Sequence, residues 1–161
     1  MSGSGHSDSA ATEAAGARAA GAGRVRLEIL TIERQLFDEQ VSMVIAPGAD
    51  GVLGILPHHQ PMLTALEHGE LVIRVDGRDD RYMAIGGGVM QVLPDHVVIL
   101  ADRAERADEI DLALAEEAHQ RALESMERGA TDLELGRARE ALRHSAVRLA
   151  IARRHHGRLP R

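Results

Sequence analysis

Leu71-Val72-Ile73-Arg74-Val75-Asp76-Gly77-Arg78-Asp79-Asp80-Arg81-Tyr82-Met83-Ala84-Ile85 decides the fold class of the first two-thirds of the chain. Apolar and β-branched side chains flank Asp76-Gly77, a dipeptide suited to a tight hairpin because both central turn residues of that hairpin require positive φ. Outward from this hairpin, short apolar runs alternate with turn punctuation. The runs are Val25–Leu30, Val41–Ala46, Val52–Ile55, Leu71–Val75, Arg81–Ile85, Val89–Val92 and Val97–Leu100. Pro47-Gly48, Pro57, Gly86-Gly87-Gly88 and Pro94-Asp95 separate them. Short strands at roughly 8–12-residue spacing predict an antiparallel sandwich or barrel.

Beyond residue 104 the period changes. Leu135, Ala138, Leu142, Ser145, Leu149 and Ala152 recur at steps of three and four, the stripe of one helix. Leu112, Ala115, Ala122, Leu123 and Met126 form a second stripe, with His119 inside it. Between them Gly129 suits a left-handed cap, and Thr131 with Glu134 has capping-box spacing. The reading is therefore α+β: a β-sandwich at 24–104 followed by an antiparallel two-helix hairpin at 105–155. Residues 1–23 are read as a disordered Ser/Gly/Ala tail, with too little to bury to offset its ordering entropy. Residues 156–161 are read as a flexible end.

Charge polarises the hairpin. Glu105 to Glu127 holds eight acids and two arginines, whereas Arg137 to Arg161 holds eight arginines and one acid. Laid antiparallel, an acidic helix faces a basic one, and exposed pairs worth only ~0.2–1 kcal/mol each select orientation more than they add stability. The basic helix could equally be claimed by an acidic surface elsewhere.

The residue inventory excludes much chemistry. The 161-residue chain has net charge −6, no Cys and no Trp, and its 19 basic residues are all arginine. There is no disulfide framework, thiol nucleophile, Schiff-base lysine or phosphate-loop lysine. With Phe37 and Tyr82 as the only rings of their kind and an acidic balance, nucleic-acid binding is not expected. The longest apolar run, Val97 to Ala101, falls far short of the ~20 residues of a membrane span. The N-terminus lacks the basic and apolar regions of a signal peptide. Outside the tail only Ser42, Ser125 and Ser145 remain as serine nucleophiles, and none sits in a strained elbow sequence.

Several constellations admit two readings. His58-His59, Glu67-His68 and His155-His156 could suggest a metal, but without ligand spacing they read as solvent histidines of loops and helix ends. Gly86-Gly87-Gly88 opens a strand-like stretch rather than a helix, which favours a bulge or sheet corner over a phosphate cradle. Asp108, Glu109 and Asp111 are read as acids complementing a helix start rather than as catalytic or metal-binding carboxylates. Arg139 and Arg143, one turn apart, could clamp a phosphate but suit a solvated face or interhelical ion pairs better. What survives is an interaction or regulatory protein rather than an enzyme.

Asp50-Gly51-Val52-Leu53-Gly54-Ile55-Leu56-Pro57-His58-His59-Gln60-Pro61-Met62-Leu63-Thr64 closely resembles the signature stretch of the ATP synthase epsilon subunit. Gly69, Gly86 to Val92, Ile99 to Asp102 and Ala107 to Asp111 follow in the same order as in that family. The similarity runs over about residues 24–155. It implies a flattened sandwich of about ten strands and two antiparallel helices, in a bacterial F-type ATP synthase. The implied role is a non-catalytic rotor-stalk subunit coupling the membrane ring to the headpiece, with the helices able to inhibit ATP hydrolysis. Implied partners are the gamma subunit, the c-subunit ring and the alpha/beta headpiece, on the cytoplasmic face of the bacterial cell membrane, peripherally and without insertion.

The resemblance also marks residues. Asp50, Val52 and His59 are interface candidates on the loop side, and Arg148 and Arg153 on the hairpin. No cofactor is expected. Bacterial members that bind ATP as a regulatory ligand resemble Ile/Leu-Asp-x-x-Arg-Ala. Here Ile110, Asp111 and Ala115 match, while Leu114 stands at the arginine position and supplies neither charge nor planar fork. Arg139 or Arg143 would have to compensate. An ATP-sensing module and a generic adaptor of the same architecture are the alternatives.

Overall fold

The computed structural model describes residues 23–128 and 131–155. The expectations for the N-terminal tail up to residue 22, for Gly129 as a cap and for the 156–161 end lie outside the described residues. Eight strands come first: β1 Val25–Leu30, β2 Gln35–Val41, β3 Met43–Gly48, β4 Gly51–Ile55, β5 Met62–Arg74, β6 Arg81–Val92, β7 His96–Ala101 and β8 Ala104–Arg106. A 3-10 turn at Ala107–Glu109 leads to helices α1 Leu112–Arg128 and α2 Asp132–His155.

The strand order is β2-β1-β7-β6-β5-β3-β4, with β8 added to β6. Pairing is antiparallel except between β1 and β7, which run parallel. Two long strands serve both layers of the sandwich. The C-terminal half of β6 pairs with β7 (Gly88↔Ala101 to Val92↔Val97) and its N-terminal half with β8 (Met83↔Arg106 to Ile85↔Ala104). β5 pairs with β6 from Met62↔Val92 to Ile73↔Arg81, and on its other side with β3 from Met43↔Arg74 to Ile45↔Val72 and again at Gly48↔Leu66. Inward side chains of β1 through β7 then meet in one core that includes Leu27, Ile29, Val44, Ile55, Leu71, Ile73, Ile85, Met90 and Ile99. Each such side chain contributes ~1.5–3 kcal/mol by leaving water. The ten strands implied by resemblance are thus eight, two of them shared between layers.

The turnover point is Gly86-Gly87-Gly88. Gly87 and Gly88 have φ of 89° and 129°, and a Cβ on Gly88 would lie 2.2 Å from the Leu100 carbonyl oxygen. Only glycine permits both the backbone conformation and the close approach. The β5–β6 register is the same on both sides (His68↔Gly86, Leu66↔Gly88), so the glycines make a corner and not a bulge in this ladder. Consequently Arg81–Ile85 and Val89–Val92 are one strand instead of two.

Other boundaries also move. The expected strand Val41–Ala46 divides at Ser42, where β2 ends and β3 begins. β2 and the first half of β5 went unforeseen. Asp76-Gly77 does turn the chain, with Arg78 N–H donating to the Val75 carbonyl at 3.1 Å, but only Gly77 has positive φ (74°). The connection is a longer loop in which Asp80 accepts two hydrogen bonds from Arg74. Glu105 and Arg106, allotted to the hairpin by sequence, lie in β8.

The helices match their stripes. Ala138, Ser145, Leu149 and Ala152 are buried on α2, and Ala115 and Ala122 on α1, whereas Leu123 is 39% exposed. The capping box forms as spaced: Thr131 N–H donates to Glu134 at 3.0 Å and Glu134 N–H to Thr131 Oγ1 at 3.2 Å. Asp111 caps α1, accepting the Leu114 N–H at 2.9 Å.

Candidate functional site: the helix–sheet contact and the exposed faces

α2 has two working faces. One meets α1 through the small residues above, with His119 Nδ1 3.2 Å from Ser145 Oγ across the seam. The second, about a third of a turn away, carries Glu140, His144, Val147, Arg148, Ile151 and His155 toward the sheet. Its apolar part is slight: Ile151, Leu149 and Ala152 gather with Ala84, Ile110 and Ala115 in a small separate cluster. Polar contacts make up the rest.

Glu70 on β5 is the hub at the C-terminal end of α2. It accepts Arg154 at 2.7 Å and His155 Nε2 at 3.0 Å. The His155 ring stacks on Tyr82 with centroids 3.8 Å apart, and its side chain is 10% exposed, which corrects the expectation of a solvent histidine. Glu105 on β8 takes a two-pronged contact from Arg148. Nearer the corner, His68 also departs from the solvent-histidine expectation: its side chain is 12% exposed, its Nε2 lies 2.9 Å from Glu140, and its ring sits edge-on to His144. His144 packs against the glycine corner: a Cβ on Gly86 would lie 3.0 Å from its Cδ2. Burial first, then the positive charges of Arg103 and Arg148 and the neighbouring His68, hold the His144 pKa below its ordinary 6.5.

The expected facing of acidic and basic helices takes a different form. Across the seam Arg153 pairs with Glu116 at 3.2 Å. Other α1 acids pair within their own helix, Glu117 with Arg121 and Glu124 with Arg128. Arg148, Arg154 and His155 are spent on the sheet. The two-helix charge pattern is legible in sequence, but its partner is chiefly Glu70 and Glu105.

The nucleotide candidates divide into two groups. Ile110, Asp111 and Ala115 lie together at the start of α1, where Ile110 and Ala115 pack against Leu149, Ile151 and Ala152. Leu114 points into solvent, 57% exposed. Arg139 and Arg143 are exposed and make no ion pair among the described residues. They lie at least two turns, about 12 Å, along α2 from Ile151. Asp108 and Glu109 are engaged elsewhere, by Arg106 and Arg34. No cluster suited to a metal occurs among the described residues.

On the loop side Asp50 is exposed and Val52 is 76% exposed at the β3–β4 turn. His59 is half-buried, its Nδ1 2.8 Å from the Gln60 carbonyl, next to His58 at φ 63°. A further surface went unread in the sequence. Ala65, Val89, Leu100 and Leu30 stand in register across β5, β6, β7 and β1. With Leu63 (71% exposed), Val89 (41%) and Leu100 (56%), they make an outward apolar row. Alternation signals one face of each strand as outward, but only the pairing shows that these residues line up.

Residues 24–107 match the family model described as ATP synthase, Delta/Epsilon chain, beta-sandwich domain. The chain belongs to that family. Among its relatives, the ATP synthase epsilon chain of Dehalococcoides mccartyi is 44% identical over 130 residues, covering 80% of this chain and 92% of that one. The epsilon chain of Herpetosiphon aurantiacus is 49% identical over 129 residues, covering 80% and 94%. In the Euglena gracilis mitochondrial ATP synthase OSCP/F1/c-ring structure, one chain shares the fold with a TM-score of 0.71 at 21% identity, over 80% of this chain and 81% of that one. The epsilon-chain alignments, 130 and 129 residues long, exceed the 24–107 match, so the likeness continues into the helical region. No helix among the described residues is long and apolar enough to cross a membrane.

Proposed function

We propose that the chain acts as a non-catalytic central-stalk subunit of a proton-translocating F-type ATP synthase. It couples rotation between the membrane ring and the catalytic headpiece, and its C-terminal helices can restrain ATP hydrolysis. The observation that carries this reading is the inequality of packing. The sheet has a deep common core, whereas α2 rests on it through a small apolar cluster and three carboxylate contacts at Glu70, Glu105 and Glu140. Exposed ion pairs add only ~0.2–1 kcal/mol each, and the apolar cluster under α2 has few large side chains, so a partner preferring the open form has far less to overcome at the hairpin than in the sheet.

The surfaces suit the partners that the family resemblance implies. The apolar row on β5, β6 and β7 offers a dry face to the gamma subunit, and the Asp50–Val52 turn with His59 faces the c-subunit ring. On release, Arg148 and Arg153 join Arg139 and Arg143 in a basic helix for the alpha/beta headpiece. Such an assembly places the chain peripherally on the cytoplasmic face of the bacterial membrane.

Deleting residues 112–161 keeps β8 and removes the hairpin. The shortened chain is expected to join a gamma-containing complex and to raise its ATP hydrolysis. Failure of the full chain to join such a complex would overturn the assignment. Regulation by ATP is not favoured, because Asp111 is engaged as a cap and Leu114 contributes no charge. Calorimetry with ATP at about millimolar concentration, the weak end of specific binding, is expected to show no heat.

A further inference from the structure

We propose that the seating of α2 on the sheet is proton-gated, with His144 as the sensor: acid conditions loosen the hairpin from the glycine corner. The inference concerns the chain itself and needs no partner, so it goes beyond the stalk role and does not depend on it.

His144 is wedged where α2 crosses β6, at Gly86. The groups facing it are mostly basic. From the β7–β8 link comes Arg103, whose Cβ approaches the same point on Gly86. From β5 comes His68, edge-on with ring centroids 6.4 Å apart. From α2 itself comes Arg148, one turn on. Of the nearby carboxylates, Glu105 is engaged by Arg148, and Glu140, one turn back on α2, lies 2.9 Å from His68 Nε2 and stays half exposed. Asp102 lies by Gly87 on the far side of the corner.

A proton arriving on His144 creates an imidazolium that is half desolvated and close to the positive charges of Arg103 and Arg148. The uncharged ring fits; the charged ring does not. The released helix has no such conflict, since water solvates the cation. With the docked pKa held below 6.5, the docked form keeps its full advantage above the free-histidine value and loses it as pH falls through that value. One proton taken up on release changes the docking equilibrium by about tenfold per pH unit below the free value, until the docked pKa is reached. His155 and His68 each lie against a carboxylate on the same face of α2, and the His144→Gln variant separates the His144 contact from theirs.

The chain contains no cysteine, so labels can be placed at will. Asp79→Cys and Ala150→Cys put one spin label on an exposed sheet loop and one on the outer face of α2. The full chain is expected to show one short distance near pH 7.5 and a growing long-distance population toward pH 5.5, values that bracket a histidine titration at about 6.5. His144→Gln, which cannot take the proton, is expected to keep the short distance across that range. Equal opening in the variant, no opening in the native chain, or tightening in acid would each overturn the proposal. Should His144→Gln fail to dock at all, the native chain still decides. Its His144 ring resonance is expected to titrate below the value it shows in urea, and a titration at or above that value would overturn the proposal.

Discussion

Gly88 and Gly136 show how differently one residue type is used. At Gly88 a methyl group would meet the Leu100 carbonyl at 2.2 Å and the Ala101 Cα at 2.8 Å, both backbone atoms that cannot swing away, at a φ that L-residues avoid. Gly88→Ala is expected to cost about 3 kcal/mol or more in urea denaturation, the scale of strain plus steric conflict at an ordered corner. Gly136 is exposed in the interior of α2 with nothing within 4 Å of a built Cβ. Gly136→Ala is expected to stabilise the helix by ~0.5–1 kcal/mol, read as a higher helix melting temperature. Asp108 illustrates a pH effect. The hydrogen bond from Arg106 holds its carboxyl below the ordinary 3.8, so its contribution is present above that pH and lost as pH falls below it. Because both side chains are more than 40% exposed, Asp108→Asn is expected to cost under ~1 kcal/mol near neutrality, and nothing once the carboxyl is protonated. Denaturation at neutral and strongly acid pH separates the two cases.

Among the elements, α2 depends on its start. The reciprocal bonds of Thr131 and Glu134 satisfy backbone donors that the first turn leaves open. Thr131→Ala is expected to cost about 1 kcal/mol of hairpin stability, visible as faster amide exchange in the first turns of α2 with the sheet unchanged. This cap was legible because its chemistry is local: two side chains three residues apart. β1 was legible for the same reason, through strict alternation over Val25–Leu30. β2 was not, because Gln35-Leu36-Phe37-Asp38-Glu39-Gln40-Val41 has only Phe37 and Val41 fully turned inward, and its pairing with β1 supplies what its own pattern lacks. The first half of β5 was hidden because Leu63 and Ala65 are apolar yet face outward. Gly86 to Gly88 looked like a break because glycine runs end most strands, whereas here they let one strand turn a corner. The second face of α2 is spaced correctly in sequence but reads as polar. Only the positions of Glu70, His68 and Arg103 on distant strands reveal it as a contact.

At the scale of the whole molecule the two parts differ in what holds them. The sheet buries large side chains from seven strands against one another. Among the described residues the hairpin buries mainly Ala115, Ala122, Ala138, Ser145 and Ala152, with Leu149 and Ile151 as its only large buried residues. Small seams let helices approach but remove little apolar surface from water, and isolated helices of this length are marginal without tertiary packing. A fragment ending at Ile110 is therefore expected to unfold cooperatively, retaining most of the stability of the full chain in urea. A fragment spanning 107–155 is expected to show only partial helicity by circular dichroism. The asymmetry has a direct consequence for the proposed stalk role. A body that stays folded when its helices leave can transmit torque through the sheet while the hairpin changes partner, and each helix conformation is then set by what it touches. If the 107–155 fragment proved stably helical and the sheet fragment molten, stability would flow from the helices to the sheet, and release of the hairpin would unfold the subunit instead of switching it.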